Sequence, residues 1–102
     1  MIIDLERKYY YVINEDLKMS KGKIASQVSH VAMQLGECYD YIGRAVVLKT
    51  SEEILKDLKE NADFAFSIID AGLTEVPENS LTCVGFISTT KNDILTKTLK
   101  LV

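Results

Sequence analysis

Two short apolar runs on either side of a helical repeat constrain this chain's architecture most. Residues 8–14, KYYYVIN, are aromatic and β-branched and read as a strand. Residues 44–50, RAVVLKT, read as a second strand, apolar on both faces as buried parallel strands are. Between them Ile24, Val28, Val31 and Leu35 recur at i, i+4, i+7 and i+11, which builds one apolar stripe on a helix over residues 21–35. GECYDYIG, bounded by two glycines, is then the connection to the second strand.

The same reading carries on to the C-terminus. In TSEEILKDLKENA, Thr50 as N-cap with Glu53 three residues on makes a capping box. Ile54, Leu55 and Leu58 form the inner face of this second helix, and Glu52 and Lys56 form an i,i+4 pair. FAFSIID is a third strand that ends at Asp70. AGLTEVPENS carries the turn residues Gly72, Pro77, Asn79 and Ser80. LTCVGFI is a fourth strand, antiparallel to the third because only a loop joins them, and TKNDILTKTLKLV closes the chain as a short helix and a tail. The order βαβαββα predicts an α/β fold: one domain over residues 1–102, with a mixed four-stranded sheet and helices packed on it in two or three layers.

Composition narrows the function. A chain of 102 residues with 47% apolar content supports one core without disulfides or a structural metal. A net charge of −3 counts against a protein that binds nucleic acid over its whole surface, yet it leaves room for a local basic patch. No apolar run approaches the ~20 residues of a membrane span. The start, MIIDLERK, has acids and no hydrophobic core of a signal peptide. Cys38 and Cys83 match neither a C-x-x-C pair nor a zinc pattern, so they read as reduced thiols of a cytoplasmic protein, with Cys83 in the core. A single histidine argues against a His-based metal site, and no metal or cofactor is expected. Cys38 and Arg44 have the C-x5-R spacing of a cysteine phosphatase loop. Tyr39, Asp40, Tyr41 and Ile42 are too bulky for such a loop, and a strand rather than a helix follows the arginine.

The local basic patch is DLKMSKGKIASQVSH, residues 16–30. Ser20 is a candidate N-cap, which places Lys21 and Lys23 in the first helical turn, with Lys18 just before it. Lysine there opposes the helix dipole. No acid occurs over residues 17–36, and an external anion such as phosphate is the simple reason to tolerate the cluster. The bland alternative is solvated lysines offset by Glu15 and Asp16. Lys23, Gln27, His30 and Gln34 fall on one narrow stripe about a quarter turn from the apolar one. The uncharged helix surface suits a groove, and it suits a homodimer interface equally.

Asp70 follows a buried strand and so sits at a sheet edge, where open α/β sheets bind ligands. The lysine loop also leaves the carboxyl end of a strand. If the first and third strands run the same way, Lys23, Asp70 and Thr74 share one edge. Alternatively, Asp70 only caps the following turn.

These residues carry a family resemblance. DLKMSKGKIASQVSH, followed after a strand–helix–strand interval by DAGLTEVPENSLTCVG, resembles the second class of peptidyl-tRNA hydrolases, with a pattern K-M-G-K-G-K-x-A-A-Q-x-x-H-A, then D-A-G-R-T, then P-G-S-x-T-V-L-G-I-G-P. The resemblance extends from about Lys8 to the C-terminus. It implies hydrolysis of the ester joining a peptide to tRNA, with tRNA as partner and no metal. It places the essential lysine, aspartate and threonine on Lys23, Asp70 and Thr74, and matches Lys18, Lys21, Gln27 and His30 to the surrounding groove, with Ser80 in the later motif. The chain departs from the pattern at Leu73, Asn79 and residues 86–88, and only residues 36–43 stand where the family has a second helix. A protein of this fold that binds RNA or a protein partner without catalysis is the alternative reading.

Overall fold

The structure, a computed structural model, describes residues 2–72 and 75–102, with Ile2 described by its backbone alone; Leu73 and Thr74 lie outside the described residues. In chain order the elements are β1 (Ile2–Asn14), a 3-10 turn (Glu15–Leu17), α1 (Lys21–Cys38), β2 (Tyr41–Thr50), α2 (Glu52–Asn61), β3 (Phe66–Asp70), β4 (Ser80–Ile87), α3 (Thr90–Thr96) and β5 (Lys100–Leu101). They build one mixed sheet in the order β3-β4-β1-β2-β5. β1 and β2 are parallel, while β4 is antiparallel to both β1 and β3, so β1 and β3 run the same way.

The expected four-stranded sheet is corrected to five strands. The C-terminal residues do not trail off as a tail. Leu99 packs against the core, and the chain returns along the outer edge of β2, where Leu101 pairs with Leu48 and the Val102 N–H donates to the Val47 carbonyl. A strand of two residues has no periodicity that a sequence could display.

The alternation of β1 divides the core into two layers. Tyr9, Tyr11 and Ile13 pack with Val31 and Leu35 of α1 on one face. Tyr10 and Val12 pack with Leu55 and Leu58 of α2, and with Leu95 of α3, on the other. The fold is therefore three-layered, one helix opposite two. Gly85 sets how closely α1 approaches, because a Cβ there would lie 2.1 Å from Val31 Cγ1.

Several boundaries shift from the expected ones. The chain between the first helix and second strand is not a loop over residues 36–43: α1 continues through Cys38, only Tyr39 and Asp40 intervene, and β2 opens at Tyr41. The cap of α2 is Ser51, whose side chain accepts from the Ile54 N–H, because Thr50 is the buried last residue of β2. Leu55 and Leu58 are buried as expected, but Ile54 is 45% exposed, and the Glu52–Lys56 pair forms at 3.8 Å. β3 opens at Phe66 rather than at Phe64. Asn92 grips the chain before it, accepting from the Asp63 N–H and donating to the Asp63 carbonyl, and Phe64 turns outward at φ 55°.

Candidate active site

The site lies at the shared carboxyl end of β1 and β3. The reversal after β1 is fixed by Asn14, a buried residue whose side chain accepts from the Asp16 N–H and donates to the Leu81 carbonyl. Lys18 closes the 3-10 turn with φ 49° and is exposed. Ser20 then caps α1, its Oγ accepting from the Lys23 N–H at 3.2 Å. Lys21 and Lys23 stand in the first turn, as the sequence led us to expect.

The inward line of α1 is rotated from the expected stripe. Gln27, Val31 and Leu35, four residues apart, are its buried residues, while Ile24 and Val28 flank the core half-buried. Continuing that line toward the N-terminus leads to Lys23. The helix therefore presents an apolar lower half to the sheet and a polar upper end to the site.

Lys23 Nζ donates to Asp70 Oδ2 at 2.7 Å, with both side chains 11% exposed. Asp70 Oδ1 accepts from the Gly72 N–H at 2.7 Å, so this carboxylate both caps its turn and pairs with the lysine. The two readings of Asp70 are compatible because each uses a different oxygen. Gly72 takes φ 78°, and a Cβ there would meet the Glu78 backbone at 2.6 Å. The Lys23 ammonium and the Gly72 N–H, together with a weaker contact from Gln27, hold the Asp70 carboxyl below its ordinary pKa.

Gln27 links the helix to the sheet. Its Nε2 lies 3.4 Å from Asp70 Oδ2, and its Oε1 accepts from Thr82 Oγ1 at 2.8 Å. Thr82 can do this because the β3–β4 register slips: Ile68 pairs with Cys83 and Ile69 with Leu81, leaving Thr82 as the extra residue. The bulge aims Thr82 at α1 on the same face as Cys83. The sequence offered no signal for this beyond a lone hydroxyl in an apolar run.

Glu75 is the other group that sequence reasoning missed. Its carboxylate accepts from the Ser20 N–H at 2.8 Å and from Ser20 Oγ at 2.6 Å, and these bonds lower its pKa. An anion does sit at the start of α1, then, but the chain supplies it. Asp16, which the solvated-lysine alternative set against the lysines, accepts from the Glu52 N–H at the start of α2.

Of the remaining expected residues, Ser80 pairs across the sheet with Asp70 and donates to the Pro77 carbonyl at 2.6 Å. Asn79, a departure from the family pattern, takes φ 65° and returns an N–H to the Asp70 carbonyl at 2.8 Å. Asparagine tolerates that left-handed conformation better than most residues. His30 is exposed, about 10 Å along α1 from Lys23 at 1.5 Å per residue. Thr74 lies outside the described residues. Among the described residues no group of three or more His, Cys, Asp or Glu side chains could hold a metal ion, and no helix is long and apolar enough to cross a membrane.

An open α/β sheet with a lysine–carboxylate pair at the carboxyl ends of two like-directed strands places both groups where proteins of this class bind their ligands. Comparison with known proteins narrows the class. The family profile described as peptidyl-tRNA hydrolase PTH2 matches residues 7–102, and the chain belongs to that family. It is 35% identical to the peptidyl-tRNA hydrolase of Staphylothermus marinus, over 83% of this chain and 84% of the relative. It is 31% identical to that of Thermoplasma acidophilum over 78% of this chain and 82% of the relative, and 32% identical to that of Saccharolobus solfataricus over 93% and 98%.

Proposed function

We propose that the chain hydrolyses the ester of peptidyl-tRNA, releasing peptide and tRNA in the cytoplasm. The observation that carries this reading is the 2.7 Å Lys23–Asp70 pair, set at the strand edge of a chain that belongs to the family. Ester hydrolysis needs a positioned water and a stabilised oxyanion. Lys23 supplies the positive charge for the developing oxyanion. Asp70, held below its ordinary pKa, is a weak base, so its part is to orient the water by accepting a hydrogen bond rather than to remove a proton in advance. Thr74 completes the set with a hydrogen bond to substrate or water.

Gln27 keeps the Asp70 carboxylate in place from the helix side, and Thr82 fixes the orientation of the Gln27 amide. Lys18 and Lys21, both exposed, meet tRNA phosphates and the exposed His30 lines the approach, while Ser80, buried with its hydroxyl on the Pro77 carbonyl, acts by holding the turn beside Asp70. Self-association is compatible with this arrangement. Among the described residues β5 pairs only with the end of β2, so the outer edge of β2 over residues 41–46 is open to a second copy.

The deciding experiment is peptide release from N-blocked aminoacyl-tRNA by the purified protein. Multiple turnovers support the esterase. Salt-dependent tRNA binding without release would instead make this a binding protein on a hydrolase fold.

A further inference from the structure

We propose that Glu75 is a positioning residue for the reaction, fixing the geometry of Lys23 against Asp70 by locking the first turn of α1 to the loop that follows β3. This rests on the reading of Lys23 and Asp70 given above.

The contacts form a closed ring. Asp70 Oδ2 holds Lys23 Nζ at 2.7 Å, the Lys23 N–H is held by Ser20 Oγ at 3.2 Å, and Ser20 is held through its N–H and its Oγ–H by the two oxygens of Glu75. The chain from Glu75 back to Asp70 closes it. Lys23 thus reaches Asp70 from a helical turn that Glu75 pins at its cap. A lysine side chain has four rotatable bonds and holds no fixed position by itself. What can be fixed is the backbone from which it projects and the carboxylate it meets. Glu75 joins those two, because it lies five residues beyond Asp70 on the same loop.

The carboxylate suits the task in two respects. Both of its oxygens are used, so it constrains orientation as well as distance, and hydrogen bonds to an ionised group are the stronger kind. Glu75 has its pKa held below the ordinary carboxylate value by the two Ser20 hydrogen bonds and, to a smaller extent, by the positive charge of Lys23. It also offsets the dipole of α1 at the point where the lysines oppose it.

The charge and the geometry act in opposite directions on the two kinetic constants. Removing a negative charge beside Lys18, Lys21 and Lys23 cannot weaken the attraction of tRNA phosphates, whereas loosening the cap misplaces the reacting lysine. Glu75→Ala is expected to lower kcat about tenfold, the cost of losing a charge-assisted hydrogen bond. KM for peptidyl-tRNA should stay level or fall. Glu75→Gln should recover to within about threefold of the wild type, since its amide oxygen can still accept from the Ser20 N–H while its NH2 group donates to Ser20 Oγ.

The test measures kcat and KM for the wild type, E75A, E75Q, K23A and E75A/K23A, with urea denaturation to establish that each is folded. If Glu75 acts through Lys23, E75A lowers kcat in the wild-type background and changes little in the K23A background. Wild-type kcat in E75A, or a loss that persists undiminished alongside K23A, overturns the proposal while leaving the esterase site intact. Wild-type activity in K23A itself overturns the site and the role of Glu75 together.

Discussion

Gly85→Ala tests the close helix–sheet approach on which the site depends. The added Cβ would lie 2.1 Å from Val31 Cγ1 and 3.3 Å from the Tyr10 carbonyl oxygen, well inside van der Waals contact with a side chain that is 0% exposed. Val31 cannot easily turn aside, because a valine in a helix is held largely to one χ1 rotamer. The remaining response is for α1 to ride outward on β4. Overpacking of this kind costs about 1–3 kcal/mol. For a domain of this size each kcal/mol lowers Tm by roughly 4–8 °C. Urea denaturation of G85A, V31A and the double variant measures the clash directly. V31A alone destabilises by opening a cavity. In that background the new methyl has room, so G85A should cost less than about 0.5 kcal/mol, a coupling of at least about 0.5 kcal/mol. Peptide release should fall in G85A by more than its folded fraction explains, because a shift of about 1 Å in a reacting group can cost on the order of a hundredfold. Additive stabilities in the double variant would show that Gly85 and Val31 do not clash.

Further expectations follow from the same structure. Asp70 has a folded pKa below its ordinary 3.8, so its contribution to stability is fully present above that value and is lost as pH falls through the lower folded value. The stability difference between wild type and Asp70→Asn, followed by urea denaturation from pH 6 downward, should therefore shrink in acid, and a constant difference would contradict the pairing. Lys18→Ala and Lys21→Ala should each reduce the slope of log affinity for tRNA against log salt by roughly one, measured by filter binding. An unchanged slope would remove these residues from the phosphate contacts. Cys38 is exposed, whereas Cys83 is buried with its thiol pushed up to about 12, so a thiol reagent should titrate one cysteine promptly and the second only on unfolding.

The pairing of Lys23 with Asp70 was more legible in the sequence than the details of the fold, for physical reasons. Ser20 was readable as a cap because capping is local chemistry. The meeting of Lys23 and Asp70 was readable only on condition that β1 and β3 run the same way, and β4, antiparallel to both, supplies that condition. The left-handed Asn79 was readable from residue type alone. Thr82 was hidden because a bulge reverses the face on which a strand residue lies, and apolar alternation does not encode bulges. Glu75 was hidden because its partner Ser20 lies 55 residues away across a loop without periodicity. The helix stripe was misplaced by part of a turn because Gln27 was counted as polar, yet it is buried on Thr82 and Asp70. Thr50 and Ser51 compete for one cap, and only the pairing of Asn14 with Thr50 at the end of β2 decides between them.

The central claim is that Lys23 and Asp70 act together on the ester. Peptide release from N-blocked aminoacyl-tRNA, measured for wild type, Lys23→Ala and Asp70→Ala with tRNA binding followed in parallel, tests it most directly. The wild type should turn over, and each variant should lose roughly a hundredfold or more in kcat while still binding tRNA. Turnover that survives either substitution would contradict it.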